Sequence, residues 1–134
     1  MKKIIILVLA SILTISCNKD ENEIIKKSVF EASEKILDFG ILPVNSSSNK
    51  ELTVKNTGNG DLIISSFQFN LKSYFYTNSI SKGEIIIAPN KEYTFSLGFR
   101  PLEHGEFENT LIFETNVGEQ QITLKGIGII LGPL

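Results

Sequence analysis

Between Leu52 and Ile64 the chain reads Leu-Thr-Val-Lys-Asn-Thr-Gly-Asn-Gly-Asp-Leu-Ile-Ile, a pattern that excludes a helix and calls for strands. Leu52 and Val54 alternate with Thr53 and Lys55, and Leu62 and Ile64 resume that alternation after a polar gap. A period of two sends successive side chains to opposite faces, so each flank buries one face and wets the other. In the gap, Asn56-Thr57-Gly58-Asn59-Gly60-Asp61 supplies glycines and asparagines, which take positive φ without steric cost and so reverse a chain. The spacing predicts a hairpin of strands Lys50–Asn56 and Asp61–Phe69 in the core of an antiparallel sandwich.

The remaining mature chain repeats this grammar. Tyr93, Phe95, Leu97 and Phe99 alternate with Thr94, Ser96, Gly98 and Arg100 until Pro101 stops the run. Tyr74-Phe75-Tyr76 is a short aromatic strand or strand end, and Ile85-Ile86-Ile87 is a strand that leads into a turn at Ala88-Pro89-Asn90-Lys91. Phe107, Leu111 and Phe113 follow a turn at Leu102–Gly105, and Ile122, Leu124 and Ile127 form a last strand interrupted by Gly126 and Gly128. Near the start, Pro43 cannot donate to a ladder, so Ile36–Val44 is expected to be a kinked edge strand. Ile36 and Phe39 would both reach the core there only across an irregularity. The cluster Asn45-Ser46-Ser47-Ser48-Asn49 is a loop. Short strands, turns every eight to twelve residues or so, and no helical period after the first residues indicate an all-β sandwich or barrel.

The N-terminus speaks about location. Lys2 and Lys3 precede an apolar run from Ile4 to Ile15, which ends in Ser16-Cys17. That run is shorter than the roughly twenty residues a membrane-spanning helix needs, so it reads as a cleaved signal. Leu13-Thr14-Ile15-Ser16-Cys17 resembles the lipobox of bacterial lipoproteins, with Leu13 one place earlier than is commonest. The resemblance implies that Cys17, the only cysteine, becomes the lipid-bearing first residue of the mature chain and holds it to a membrane. Lys19-Asp20-Glu21 resembles the export signal by which certain Gram-negative bacteria send lipoproteins to the outer face of the outer membrane, so surface exposure is favoured over the periplasmic face. The expected organisation is a signal peptide over 1–16, a membrane-proximal tether over 17–35, the sandwich over 36–128 and an apolar tail over 129–134.

Removing Lys2 and Lys3 from the 13 basic residues leaves 11 against 15 acidic, a net charge of −4 for the mature chain. Without clustered Lys and Arg there is no footprint for nucleic acid. Catalysis is poorly supplied as well: His104 is the only histidine and no Gly-x-Ser-x-Gly occurs. His104 with Glu103, Glu106 and Glu108 is the one conceivable metal set, but Glu106 and Glu108 would point from one strand face toward solvent, and ordinary surface charge is the favoured explanation of these acids. No cofactor is expected.

Several segments together resemble a known family. Ile36-Leu37-Asp38-Phe39-Gly40, then Val54-Lys55-Asn56-Thr57-Gly58-Asn59 followed by Leu62 and Ile64, resemble the opening of ASH-type (ASPM/SPD-2/Hydin-like) immunoglobulin-like domains. Ile87-Ala88-Pro89, Phe99-Arg100-Pro101 before Gly105, Thr115-Asn116 and Ile122-Thr123-Leu124-Lys125-Gly126-Ile127-Gly128 continue in the same order. The resemblance implies an immunoglobulin-like sandwich of about seven strands that binds or spaces rather than catalyses. An envelope protein or glycan is the expected partner, met by loops or an edge strand. The candidate contact residues are Asn56, Asn59 and Asp61 in the first turn, Tyr74 and Tyr76 in the aromatic strand, and the edge at Ile36–Val44.

Overall fold

The computed structural model describes residues 23–79 and 82–133. Among the described residues nine strands run in chain order: β1 (Phe30–Ala32), β2 (Ile36–Pro43), β3 (Ser48–Asn56), β4 (Leu62–Phe69), β5 (Phe75–Thr77), β6 (Ile85–Ile87), β7 (Glu92–Phe99), β8 (Gly105–Thr115) and β9 (Gly118–Ile129). They form two sheets, ordered β1-β3-β7-β5 and β2-β9-β8-β4-β6. The expected all-β sandwich is therefore present. The segment expected to be a signal peptide and the expected lipid site at Cys17 lie outside the described residues.

Alternation decides what fills the space between the sheets. Leu52 and Val54 of β3 with Phe95, Leu97 and Phe99 of β7 face Leu62 and Ile64 of β4, Leu111 and Phe113 of β8, and Ile122 and Leu124 of β9, all essentially excluded from solvent. Rings interlock at the centre, with Phe95 at 5.2 Å from Phe113 and 5.0 Å from Phe67, both edge-on. Such aromatic contacts add to the area they bury.

Four expectations are corrected. Lys50–Asn56 and Asp61–Phe69 do not form a hairpin, because β3 and β4 belong to different sheets. From β1 to β8 each strand lies in the opposite sheet from the one before, and only β8 to β9 turns back on its neighbour. A polar gap between two alternating segments marks a reversal, and the same residues serve whether the chain returns in plane or crosses the roughly 10 Å between sheets. Second, the sandwich is not wholly antiparallel, since β2 pairs in parallel with β9. Third, Leu37 and Phe39, not Ile36 and Phe39, point inward, while Ile36 is 52% exposed. The irregularity falls later, between Asp38 and Ile41, where Gly40 has φ +75° and its N–H donates to the Asp38 side chain at 2.8 Å. β2 is nonetheless a kinked edge strand, as expected. Fourth, Gly126 and Gly128 do not interrupt β9; they continue its inward face, where the Phe99 ring and Pro101 occupy the space a Cβ would need.

The sandwich also begins earlier than Ile36. Phe30–Ala32 pairs with Val54–Asn56 on β3, and the Phe30 ring packs 5.5 Å from Phe113. Part of the stretch expected to be tether is thus sheet, because its apolar residues cover the open end of the core.

Candidate functional site

The five candidate binding residues fall at opposite ends of the sandwich. Strand register places Asn56, Leu62, Ile87, Thr115 and Gly118 at one end, and Ser48, Phe75, Phe99, Gly105 and Gly128 at the other.

At the first end, Asn56 is wholly buried and fully committed. Its amide nitrogen donates to the carbonyls of Gly60 at 2.6 Å and Ile87 at 2.8 Å, while its Oδ1 accepts from the N–H groups of Gly58 at 3.0 Å and Val29 at 3.2 Å. It has nothing left for a ligand, so its assignment as a contact residue is corrected to a structural brace between two crossings. Asn59 and Asp61 are exposed, but the chain's own N-terminal segment lies on them. Asn59 Oδ1 accepts from the Lys27 N–H at 2.7 Å, the Lys27 carbonyl accepts from the N–H groups of Asn59 and Gly60 at 2.8 and 3.1 Å, and Ser28 Oγ donates to the Asp61 carbonyl. Gly58 is required there, because a Cβ would collide with the Lys27 carbonyl. The turn is a seat for residues 25–29.

At the other end, Tyr74 and Tyr76 flank inward-facing Phe75 and share one open groove of about 550 Å³ with Asn45, Ser47, Arg100 and Leu102. Both rings are held. Across the four-stranded sheet, Asn49, Gly98 and Tyr76 form one register row. The Tyr76 ring lies over Gly98, where any Cβ would strike it, and its hydroxyl donates to Asn49 Oδ1 at 3.3 Å. Tyr74 stands edge-on to Phe107 with centroids 5.0 Å apart. Partial burial, then the Glu103 carboxylate beside it and the hydrogen bond between them, push the Tyr74 phenol above its ordinary pKa of 10.0.

The loop before β5 owes its position to a second buried asparagine. Asn109, 3% exposed, donates to the Leu71 carbonyl and to Ser73 Oγ, both at 2.7 Å, and accepts from the Leu71 N–H at 3.1 Å. Asn109, Arg100, Asn45 and Ser47 were not singled out by sequence. A polar residue at an inward position between Phe107 and Leu111 was the available signal for Asn109. A cation just past a strand end was the signal for Arg100.

The metal set does not assemble. His104 is exposed, Glu103 sides with Tyr74, and Glu106 and Glu108 line a separate hollow of about 360 Å³ on the outer face of the five-stranded sheet with Asp38 and Lys125. Among the described residues no three His, Cys, Asp or Glu side chains are grouped to hold a metal ion. The Ile36–Val44 edge offers a partner strand only a broken ladder, because its register shifts at Gly40 and the Gly40 N–H is already bonded.

Comparison with known proteins agrees on architecture. The structure is similar to the ASH/PapD-like domain 7 of human CEP192, at 12% identity and TM-score 0.59 over 87% of this chain and 100% of that one. It is also similar to a protein of unknown function from Porphyromonas gingivalis W83 (16% identity, TM-score 0.62, 75% of this chain and 46% of that one) and to the VesB protease of Vibrio cholerae (15%, 0.54, 74% and 31%). The chain thus spans under half the length of these two bacterial proteins, and at such identities the likeness is one of fold. A search of the curated proteins finds no match. The model of the HYDIN/CFA65/VesB-like Ig-like domain matches residues 28–127, starting two residues before β1, and the chain belongs to that family.

Proposed function

We propose that this chain is a non-catalytic, lipid-anchored binding module of the bacterial outer membrane, surface-exposed, which engages an envelope protein or glycan through the Tyr74–Tyr76–Arg100 groove. The observation that carries the reading is polarity: the N-terminal segment enters and closes one end, while the open aromatic groove lies at the other. From Cys17 to Ile25, whose carbonyl accepts from Asn59, the fully extended chain reaches at most about 30 Å, so an acyl anchor would hold the closed end near the bilayer. The groove would then face outward. Half-buried aromatics beside an exposed cation are the composition of a recognition surface, and a sandwich needs no reactive group to present one.

Two measurements test this. Metabolic labelling with an acyl-chain analogue should mark the wild type and not Cys17→Ala; equal labelling of both removes the anchor. Capture from the cell envelope with the wild-type chain, against a Tyr74→Ala/Tyr76→Ala variant, should lose its bound material in the variant. An identical set of captured molecules removes the groove.

A further inference from the structure

Resting on that reading of the groove, we infer its ligand class: an acidic saccharide, with a sugar ring on the open face of Tyr76 and its carboxylate on the Arg100 guanidinium. Three observations converge on this chemistry.

First, the tyrosines offer ring faces rather than hydroxyls. The Tyr76 hydroxyl is spent on Asn49 and the Tyr74 hydroxyl stands beside the Glu103 carboxylate, while the Tyr76 ring covers Gly98 and lines the groove. A π face carries partial negative charge, and the C–H groups on one side of a pyranose are its natural complement. Second, Arg100 is the one formal charge among the residues lining this groove, and among the described residues no hydrogen bond or ion pair engages its guanidinium. An unpaired planar cation selects a carboxylate, which it can meet with two parallel hydrogen bonds. Asn45 and Ser47 stand on the same wall with uncharged donors and acceptors suited to sugar hydroxyls. Third, a peptide strand finds little to pair with on β5. That edge is three residues long, the Phe75 N–H is turned to Ser73 Oγ at 3.3 Å, and the Ser79 N–H is turned to Thr77 Oγ1 at 3.0 Å. Backbone pairing, which gives strand addition its affinity, is therefore blunted, and the stacking face remains.

The test is calorimetric titration of the full-length chain in detergent with tetragalacturonate, maltotetraose and tetraglutamate as probes. Tetragalacturonate should bind saturably, at least about tenfold more tightly than either of the others. Arg100→Gln should weaken it by about tenfold or more, as expected for loss of a charge-assisted pair. Tyr76→Ala should abolish binding. Tyr76→Phe keeps the ring over Gly98 and should bind within about twofold of wild type, which separates stacking from a loss of fold. The inference is overturned if tetragalacturonate does not bind saturably, if tetraglutamate or maltotetraose binds as well, or if Tyr76→Phe fails alongside Tyr76→Ala. Envelope capture that still depends on Tyr74 and Tyr76 while tetragalacturonate fails would discard the ligand class and leave the groove standing.

Discussion

Two asparagines, one at each end, set the terms at the scale of single residues. Asn56 and Asn109 each use both the amide nitrogen and the oxygen on loop backbone, so removing Asn56 orphans buried groups and removing Asn109 orphans part-buried ones. Asn56→Ala is expected to cost about 3 kcal/mol in urea denaturation, with two carbonyls and two N–H groups losing their partner. Asn109→Ala should destabilise by a similar amount and also loosen the loop that seats Tyr74, so its binding should fall with its stability. Gly126→Ala pushes a methyl into the fully buried Phe99 ring and should cost about 1–3 kcal/mol, whereas at Gly98 the displaced group is the Tyr76 ring, which can swing outward. Gly98→Ala should therefore damage binding more than stability. Tyr74 titrates above 10.0, so the stability it contributes is fully present below pH 10 and is lost as the pH rises through its higher folded value. Ultraviolet titration should find Tyr74 ionising above 10.0, and Glu103→Gln should remove the part of that rise that the carboxylate causes. None of these roles was visible in residue type alone: Asn56 read as a loop donor because asparagine serves turns and buried braces with the same amide.

Elements were legible in proportion to the length of their alternation. β7 and the inward faces of β3, β4 and β8 follow from period two, since a buried face with a wet reverse fixes which residues meet the core. Sheet membership did not follow, because alternation names a buried face without naming the sheet opposite. The N-terminal boundary is not legible either: Ile24, Ile25, Val29 and Phe30 sit among charges without a period, and their use becomes evident only once the seat at Gly58 and Gly60 is in place. A chain beginning at Ile36 would lose β1, the Phe30 ring over Phe113 and the backbone bonds from Lys27 and Val29 to the Thr57–Gly60 turn. Its melting temperature should fall by about 10–15 °C relative to a chain beginning at Glu23, on a scale of about 4–8 °C per kcal/mol for a domain near this size. The tail behaves differently. β9 ends at Ile129, whose carbonyl accepts from the Val44 N–H at 2.8 Å, and Ile130 and Leu131 beyond it are 69% and 68% exposed. Deleting residues 130–134 should leave stability within about 0.5 kcal/mol.

Across the whole molecule, the organisation is that of a sandwich with one end closed by its own leading segment and the other left open around an aromatic groove. The family-level likeness was readable in an ordered set of short motifs, and those motifs turn out to be the joints of the fold: the Asn56 brace, the crossing at Phe99-Arg100-Pro101 and the glycine path along β9. The groove was half readable, as two tyrosines, because Arg100, Asn45 and Ser47 come to them only through the β2–β3 and β7–β8 crossings. The most direct test places a photoreactive side chain either at Ser47, beside the groove, or at Val117, at the closed end, in the chain produced in intact cells. The account predicts a crosslinked adduct from Ser47 that disappears when Arg100→Gln and Tyr76→Ala are combined, and none from Val117; an adduct formed from Val117 alone, or one at Ser47 indifferent to that pair of substitutions, would contradict it.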